Sequence, residues 1–462
     1  MNRRIARLTL GWLLGCAVLA LGTTYYQAVV SERLAGHTLN PRLARVEARV
    51  RRGDILDRNG KTIARSAGPG VGNREYVGPQ SLAPLVGYSH PRFGKSGLEA
   101  AYDSWLLGTL GNPTRSGLAA TLVGQGGEGN TIRLTIDLDV QEACERALSG
   151  RRGAAVALDA TTGEVLAAAS SPGFDPGNLD STWEWVSTRA DSPLLSRVTR
   201  GLYPPGSTIK IAVAAVAADT GAVRRGEWFE CDGQIRAGGT MISEPSGAHG
   251  FVDLTTSIAV SCNTTFVKLA LRMGQKLLQG LDRFFLSSPV PFDVSTAAGS
   301  LKPDAEASGD LLGQLAIGQG DLVVTPLHMA VIAAAVANDG VMMRPRLVTE
   351  ILRPDGAAIV RTVPRSLGIP MSISAARAVG DGMLAAVSRG TARAAAVSGF
   401  EIAGKTGTAQ NPHGPPHAWF TGYGASGGKR VAVAVVLENA GPGGTYAAPA
   451  GAAILREALG GR

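Results

Sequence analysis

The sequence has no block of five or more like charges, no Cys-x-x-Cys, no His-Glu-x-x-His and only one long hydrophobic run. Each absence closes a class of reading. Lys and Arg number 45 against 37 Asp and Glu, a net charge of +8, but the basic residues are scattered, so nucleic-acid binding has no patch to rest on. An acidic envelope surface would suit that charge equally well. Four cysteines, Cys16, Cys144, Cys231 and Cys262, lack paired spacing and have no histidine at ligand distance along the chain. They indicate neither a disulfide framework nor a zinc site, and the spacing does not decide whether Cys231 and Cys262 pair. The six histidines read as surface or packing residues, with His249 and His417 the two to check first. Aromatic residues are few, 5%, and charged ones make up only 18% against 45% hydrophobic. That balance excludes wholesale disorder, and 462 residues suffice for two or three domains. No internal repeat is present.

The single hydrophobic run supplies the compartment. Between Arg7 and Ser31 lie 23 uncharged residues, enough at about 1.5 Å per residue to cross the hydrocarbon core of a bilayer. Trp12 and the pair Tyr25-Tyr26 sit where interfacial aromatics belong, and Arg3, Arg4 and Arg7 precede the run without an acid. The expectation is one membrane span over residues 1–30 with the rest of the chain outside the cell. Arg33, Arg42, Arg45, Arg49, Arg51 and Arg52 on the far side weaken the charge asymmetry, partly offset by Glu32 and Glu47. A cleaved signal peptide or a lipoprotein signal at Leu13-Leu14-Gly15-Cys16 would end sooner than this apolar run does.

From residue 31 to about 147, short strand-like pieces alternate with Gly-rich turns. Asn59-Gly60 between two apolar stretches marks a hairpin, a helix is expected from Leu98 to Leu107, and the Gly-rich stretch Gly124–Asn130 followed by a strand Thr131–Ile136 reads as a connector. Composition then turns rich in Ala, Val and Leu, which puts a domain boundary near residue 148. Strands are expected at 154–159 and 164–169, helices at 207–219, 253–273, 326–338 and 375–388, then strands at 401–410, 417–424 and 430–438 and a last helix at 448–459. Paired strands, a long helical insert and three more strands argue an α+β fold, an antiparallel sheet covered by helices.

Two motifs mislead. Gly399-Phe400-Glu401-Ile402-Ala403-Gly404-Lys405-Thr406 matches the GxxxxGK[ST] phosphate loop, and Val431–Glu438 could pass as its metal-binding companion. A phosphate loop needs a Gly-rich turn running into a helix whose N-terminus faces the anion. Here the interior reads as strand, and Asn411-Pro412 and Gly414-Pro415-Pro416 prevent a helix. Gly124-Gln125-Gly126-Gly127-Glu128-Gly129 matches GxGxxG yet precedes a strand.

The informative constellation starts at Pro204-Pro205-Gly206-Ser207-Thr208-Ile209-Lys210, where prolines give way to a helix and Lys210 lies one turn beyond Ser207 on the same face. A serine hydroxyl needs a base to become a nucleophile, and a lysine serves if burial lowers its pKa. Ser261-Cys262-Asn263 follows 54 residues after Ser207 and Lys405-Thr406-Gly407-Thr408 follows 198 after it. Any one of these is unremarkable as an N-cap or an edge strand. Their joint order, SxxK, SxN, KTG, is that of penicillin-binding proteins and class A β-lactamases.

With Arg52-Gly53-Asp54-Ile55, Asp57-Arg58-Asn59-Gly60, Gly94-Lys95-Ser96-Gly97-Leu98-Glu99, Tyr102-Asp103, Gly201–Lys210, His249-Gly250, Gly318-Gln319-Gly320, Thr325-Pro326 and Trp419–Gly424, the chain from about residue 40 onward resembles the class B penicillin-binding proteins. These are membrane-anchored monofunctional transpeptidases with a pedestal. Only 30 residues separate Ala64 from Lys95, so the head that many members carry there is reduced. The resemblance implies a mostly antiparallel five-stranded sheet flanked by helices, a small N-terminal pedestal (31–147) and a transpeptidase domain (148–462). It implies Ser207 as nucleophile, Lys210 as base and Ser261 as proton relay. Asn263, Lys405, Thr406, Gly407 and Thr408 would bind substrate, with Lys405 holding positive charge and Gly407 clearing the strand edge for the substrate. Peptidoglycan stem peptides and β-lactams are the implied ligands, a SEDS-family glycan polymerase the implied partner, and no metal or cofactor is needed. A β-lactam sensor or β-lactamase shares the chemistry and a P-loop ATPase is the remote alternative. A bifunctional polymerase has no room before residue 148.

Overall fold

The computed structural model describes residues 3–28, 49–111, 127–412 and 414–461. Arg33, Arg42, Arg45 and Gly124–Gly126, which bear on the expectations above, lie outside the described residues.

Arg3–Ala28 is one helix, and its segment Arg7–Tyr25 has mean hydropathy 1.5 with none of it buried, which by length and composition suffices to cross a membrane. Thr9, Thr23 and Thr24 return their hydroxyls to carbonyls three or four residues earlier, so these polar groups are satisfied within the helix itself.

The C-terminal sheet has five strands in the order 401–411, 414–426, 429–437, 153–159, 165–171, every neighbour antiparallel. Its inner strands are buried on both faces, which is why they read as near-continuous apolar runs. Ala154, Val156, Leu158, Ala432, Ala434 and Val436 face the helices Lys210–Asp219 and Pro326–Ala337, while Ala155, Ala157, Val431, Val433 and Val435 face Gly443–Ala458. Pro326–Ala337 is buried along its whole length, as a helix hydrophobic on every side must be. Strand 401–411, which contains Lys405-Thr406-Gly407, lies at the sheet edge. Gly399–Thr406 is thus a turn followed by a strand, and no helix receives it.

Three elements differ from expectation. The helix expected over 253–273 is two helices, Leu254–Val260 and Asn263–Met273. The break is Ser261, in the left-handed region at φ +65°, followed by Cys262, whose Sγ caps Thr265 N. The helix expected over 98–107 is likewise two short turns, Gly97–Ala101 and Asp103–Leu106. The strand Thr131–Leu134 is no connector. It pairs with Ile55–Leu56 on one side and with Val348–Leu352 on the other, so residues 348–361 complete a six-stranded N-terminal sheet. Helix Leu138–Leu148 packs instead with the five-stranded sheet, Gln141 Oε1 accepting Ala168 N at 2.7 Å.

The N-terminal sheet is locked by ions. Glu99 is fully buried between two guanidinium groups, Arg52 Nε at 2.6 Å and Arg74 Nε at 2.7 Å, and Arg52 also reaches Asp103 at 2.5 Å. Burial alone would raise the Glu99 pKa. The two arginines outweigh it and hold the carboxyl below its ordinary value. Its contribution to stability is therefore complete above the unfolded value, about 4.3, and is lost as pH falls through the lower folded value. Glu99→Ala is expected to cost about 3–5 kcal/mol by leaving the buried Arg74 without a carboxylate and Arg52 with Asp103 alone, seen as a lower urea midpoint. A change under about 1 kcal/mol would show the triad to be dispensable.

Candidate active site

Ser207 sits in the 3-10 turn Gly206–Ile209, and Lys210 begins the helix that continues it. Residues i and i+3 eclipse in a 3-10 turn, so hydroxyl and amine are stacked on one face. The turn is clamped from outside. Gly206 N donates to Gly318 O at 2.9 Å and Trp419 Nε1 to Pro204 O at 3.0 Å. Those contacts explain why Gly318-Gln319-Gly320 and Trp419 belong to the same sequence pattern as Ser207. Ser207 is half-buried, and its turn is preceded by Pro205 with no side-chain cap, so it is not an N-cap serine.

Lys210 is wholly buried. Its Nζ donates to Ser261 O at 2.7 Å and Asn263 Oδ1 at 2.7 Å, with Ser261 Oγ at 3.3 Å, and stands 5.3 Å from the centre of the Phe266 ring. The left-handed Ser261 is what turns both a carbonyl and a hydroxyl toward one amine. Burial pushes the Lys210 pKa down to about 8, against the opposing pull of Glu244, Cys262 and Cys231. A neutral lysine has two N–H groups and one lone pair. The two short bonds occupy the N–H groups, which leaves the lone pair for a hydroxyl.

Asn263 is spent largely on the protein, its Oδ1 taken by Lys210 and its Nδ2 donating to Ser243 O at 2.9 Å. One N–H and one lone pair stay available. Lys405 is also fully buried and donates to Thr406 O at 3.0 Å. Burial first, then the charge of Lys210, hold its pKa well below that of an ordinary lysine, so the standing positive charge implied for Lys405 runs against its surroundings. Gly407 packs against the Ser207 turn. A Cβ there would lie 3.0 Å from Pro205 O and 3.1 Å from Thr208 Cγ2 and Trp419 Cβ, so the missing side chain lets the edge strand close on that turn. Thr406 Oγ1 donates to Thr391 Oγ1 at 2.9 Å, and Thr408 Oγ1 accepts Gly443 N at 3.2 Å.

Ser207, Ser261, Asn263, Thr406 and Thr408 line one cleft of about 720 Å³. Lys210, Lys405 and Gly407 do not line it; Lys210 is buried behind the lining residues Ser261 and Asn263, and Lys405 is buried with its amine on the carbonyl of the lining residue Thr406. Sequence reasoning missed other polar residues in the same cleft, among them Glu244, Ser246, Gln314 and Thr391; none of these belongs to a motif. His417 packs edge-on against Tyr203 and its Nδ1 accepts Asn439 N, a packing role. His249 Nδ1 stands 3.2 Å from Cys231 Sγ and its Nε2 3.0 Å from Ser246 Oγ.

Residues 153–459 match the penicillin binding protein transpeptidase domain, and residues 52–132 match the penicillin binding protein A dimerisation domain. The peptidoglycan D,D-transpeptidase PbpA of Mycolicibacterium smegmatis is 33% identical across 99% of both chains. The MrdA D,D-transpeptidase of Acinetobacter baumannii is 29% identical over 77% of this chain and 58% of its own. Among solved structures, penicillin-binding protein A of Mycobacterium tuberculosis as its ceftriaxone acyl-enzyme superposes with TM-score 0.81 at 32% identity, covering 90% of this chain and 100% of that one. The same protein as its penicillin G acyl-enzyme gives TM-score 0.79 at 33% identity, covering 88% and 99%. With the serine, the buried amine and the edge strand converging as they do, the chain belongs to the class B penicillin-binding proteins, the monofunctional serine D,D-transpeptidases.

Proposed function

We propose that this chain cross-links peptidoglycan through a Ser207 acyl-enzyme, and the observation that carries the reading is the buried Lys210 amine held at 2.7 Å by both ends of the Ser261–Asn263 turn. The Lys210 lone pair takes the Ser207 proton as Oγ attacks the carbonyl of the penultimate D-Ala. Ser261, 3.3 Å from Nζ, relays that proton to the departing amine of the terminal D-Ala. An amine of a neighbouring stem peptide then resolves the ester. Once Lys210 is protonated, a second buried cation is disfavoured, so Lys405 serves as a neutral hydrogen-bond donor. The free N–H of Asn263 meets the substrate amide, Thr406 and Thr408 hold the terminal carboxylate, and the Ser207 and Thr408 amides stabilise the oxyanion. β-Lactams enter the same cleft because their carbonyl and carboxylate have the same relation as those of D-Ala-D-Ala.

The apolar helix Arg3–Ala28 anchors the chain with the catalytic part outside the cytoplasm, and the partner is a membrane-embedded SEDS-family glycan polymerase. The test is reconstitution of the full chain with such a polymerase and lipid-linked pentapeptide precursor, following free D-Ala and cross-linked muropeptides. Replacing residues 1–30 with an unrelated transmembrane helix is expected to spare penicillin binding and weaken co-purification with the polymerase. Cross-linked product absent from the unaltered chain refutes the transpeptidase reading, and co-purification untouched by the swap refutes a role for the span beyond anchoring.

Acylation is expected to speed up with pH and level off above about 8, because the neutral fraction of Lys210 grows as pH rises through its depressed pKa. The measurement is the second-order rate of fluorescent penicillin uptake. A rate that is flat or falls across that range assigns the proton to another group.

A further inference from the structure

Two helices that begin at the active site end at a second cavity, of about 760 Å³. Lys210–Asp219 starts with Lys210 and Asn263–Met273 with Asn263, and Thr220, which closes the first, and Arg272, in the last turn of the second, both line the cavity wall. The 10 residues of the first helix put the cavity about 15 Å from Lys210. Four cations, Arg224, Arg225, Arg272 and Lys276, line it against one acid, Glu227. That acid is already engaged. Its Oε1 accepts from Arg272 Nη1 at 2.5 Å and its Oε2 from Arg224 N at 2.9 Å, while Arg272 also donates to Ala222 O at 3.2 Å and lies over the Phe229 ring. Arg272 and Glu227 therefore hold the wall together. The guanidinium groups of Arg224 and Arg225 and the Lys276 ammonium make no hydrogen bond or ion pair among the described residues.

Local stability does not account for those three. Lys276 is the second residue of the helix Gln275–Asp282, whose positive end disfavours a cation, and Arg224 and Arg225 share the cavity with it after the one acid is taken. Beside them the chain exposes two aromatic rings. Glu227 leads through Trp228 into the strand Phe229–Cys231, which pairs antiparallel with Gly250–Val252, Phe251 opposite Glu230 and Val252 opposite Phe229. Side chains alternate along such a ribbon. Phe229 and Val252, each 2% exposed, take its inner face, and Trp228 and Phe251, 62% and 68% exposed, share the outer one. A single exposed apolar residue is ordinary, whereas two large rings on one face beside a cationic cavity mark a binding surface.

We propose that this surface binds a phosphodiester-linked glycan, an anionic polymer of the cell envelope, a choice of occupant that rests on the extracytoplasmic placement given above. Such a polymer alternates a fixed negative charge with a sugar ring whose C–H face is apolar, and the surface offers the matching alternation of cation and aromatic ring. Guanidinium groups meet phosphate with two parallel N–H donors, and the cavity has the volume of a site for a small ligand, about one or two glycosyl phosphate units. Binding there holds the enzyme to the envelope polymer and leaves the Ser207 cleft open.

The test is calorimetric titration of the full chain in detergent with three oligomers of equal length: N-acetylglucosamine 1-phosphate joined by phosphodiesters, the neutral N-acetylglucosamine oligosaccharide, and oligogalacturonate, whose charge is carboxylate. The phosphodiester oligomer is expected to bind about tenfold or more tightly than either of the others, and to lose about tenfold or more in the double variant Arg225→Glu, Lys276→Glu. Trp228→Ala with Phe251→Ala is expected to weaken it about fivefold. Both double variants are expected to melt where the parent melts and to take up penicillin at the parent's rate, as is the parent with the oligomer bound. Absence of heat with the phosphodiester oligomer overturns the site, and equal binding of the neutral or the carboxylate oligomer overturns the phosphate assignment. Binding that survives the charge reversal, or an oligomer that slows acylation of the parent, places the polymer elsewhere and overturns the site as well. Because the titration needs neither Ser207 nor a membrane orientation, its outcome is separate from that of the transpeptidase reading.

Discussion

Ser207→Ala is expected to take up no fluorescent penicillin, a loss on the order of 10⁶-fold or more, while melting where the parent melts. The serine is half-exposed in a turn whose geometry is set by backbone contacts from Gly318 and Trp419, so deleting its hydroxyl leaves the fold its supports. The other hydroxyls of the cleft are differently placed. Ser261 Oγ is 3.3 Å from Lys210 Nζ, whose short bonds go to Ser261 O and Asn263 Oδ1, and Thr406 Oγ1 is engaged with Thr391. None of them has the eclipsed lysine one turn on that Ser207 has. Mass spectrometry of the acylated parent is expected to put the adduct on the peptide containing Ser207. An adduct on Ser261 or Thr406, or labelling that survives in Ser207→Ala, would assign the nucleophile elsewhere.

Much of this site was legible because the reaction demands residue types in a fixed chain order, and order survives in sequence even where distance does not. The strands 153–159, 165–171 and 429–437 were legible for another reason, since both of their faces are covered and apolar residues run unbroken. What escaped was non-local. Nothing at Val348–Leu352 says that it pairs with Thr131–Leu134 across more than two hundred residues. The two helices flanking Ser261 read as one because the helical periodicity continues through a residue whose left-handed backbone is known only from φ. That the missing Gly407 side chain faces the Ser207 turn was not legible, because which side of a strand faces a neighbouring turn depends on packing. Nor was the burial of Lys405 beside another lysine, which lowers its pKa. His249 and Glu244 approach Cys231 and Cys262 through hairpins that the sequence does not show to be adjacent.

Lys210→Ala is expected to slow acylation by about 10²–10⁴-fold, the usual size of a lost general base, and the interest lies in separating that role from two simpler ones. Lys210 could act as a charge, or as a strut that holds the Ser261–Asn263 turn through its bonds to Ser261 O and Asn263 Oδ1. Lys210→Arg distinguishes them. A guanidinium keeps the charge and can donate to both acceptors, but it does not deprotonate in a protein and so offers no lone pair to a serine. If Lys210 is the base, the Arg variant is as slow as the Ala variant, and the rise of rate with pH through about 8 disappears in both. If the charge or the strut is what counts, Arg keeps the rate within about tenfold of the parent and Ala does not. Thermal melting of each variant guards against a collapsed turn, and loss of rate with an unchanged melting temperature locates the defect in proton transfer. Retention of the parent's pH profile in Lys210→Ala would move the base to another group beside the cleft, with Lys405, the second buried amine there, the first to substitute.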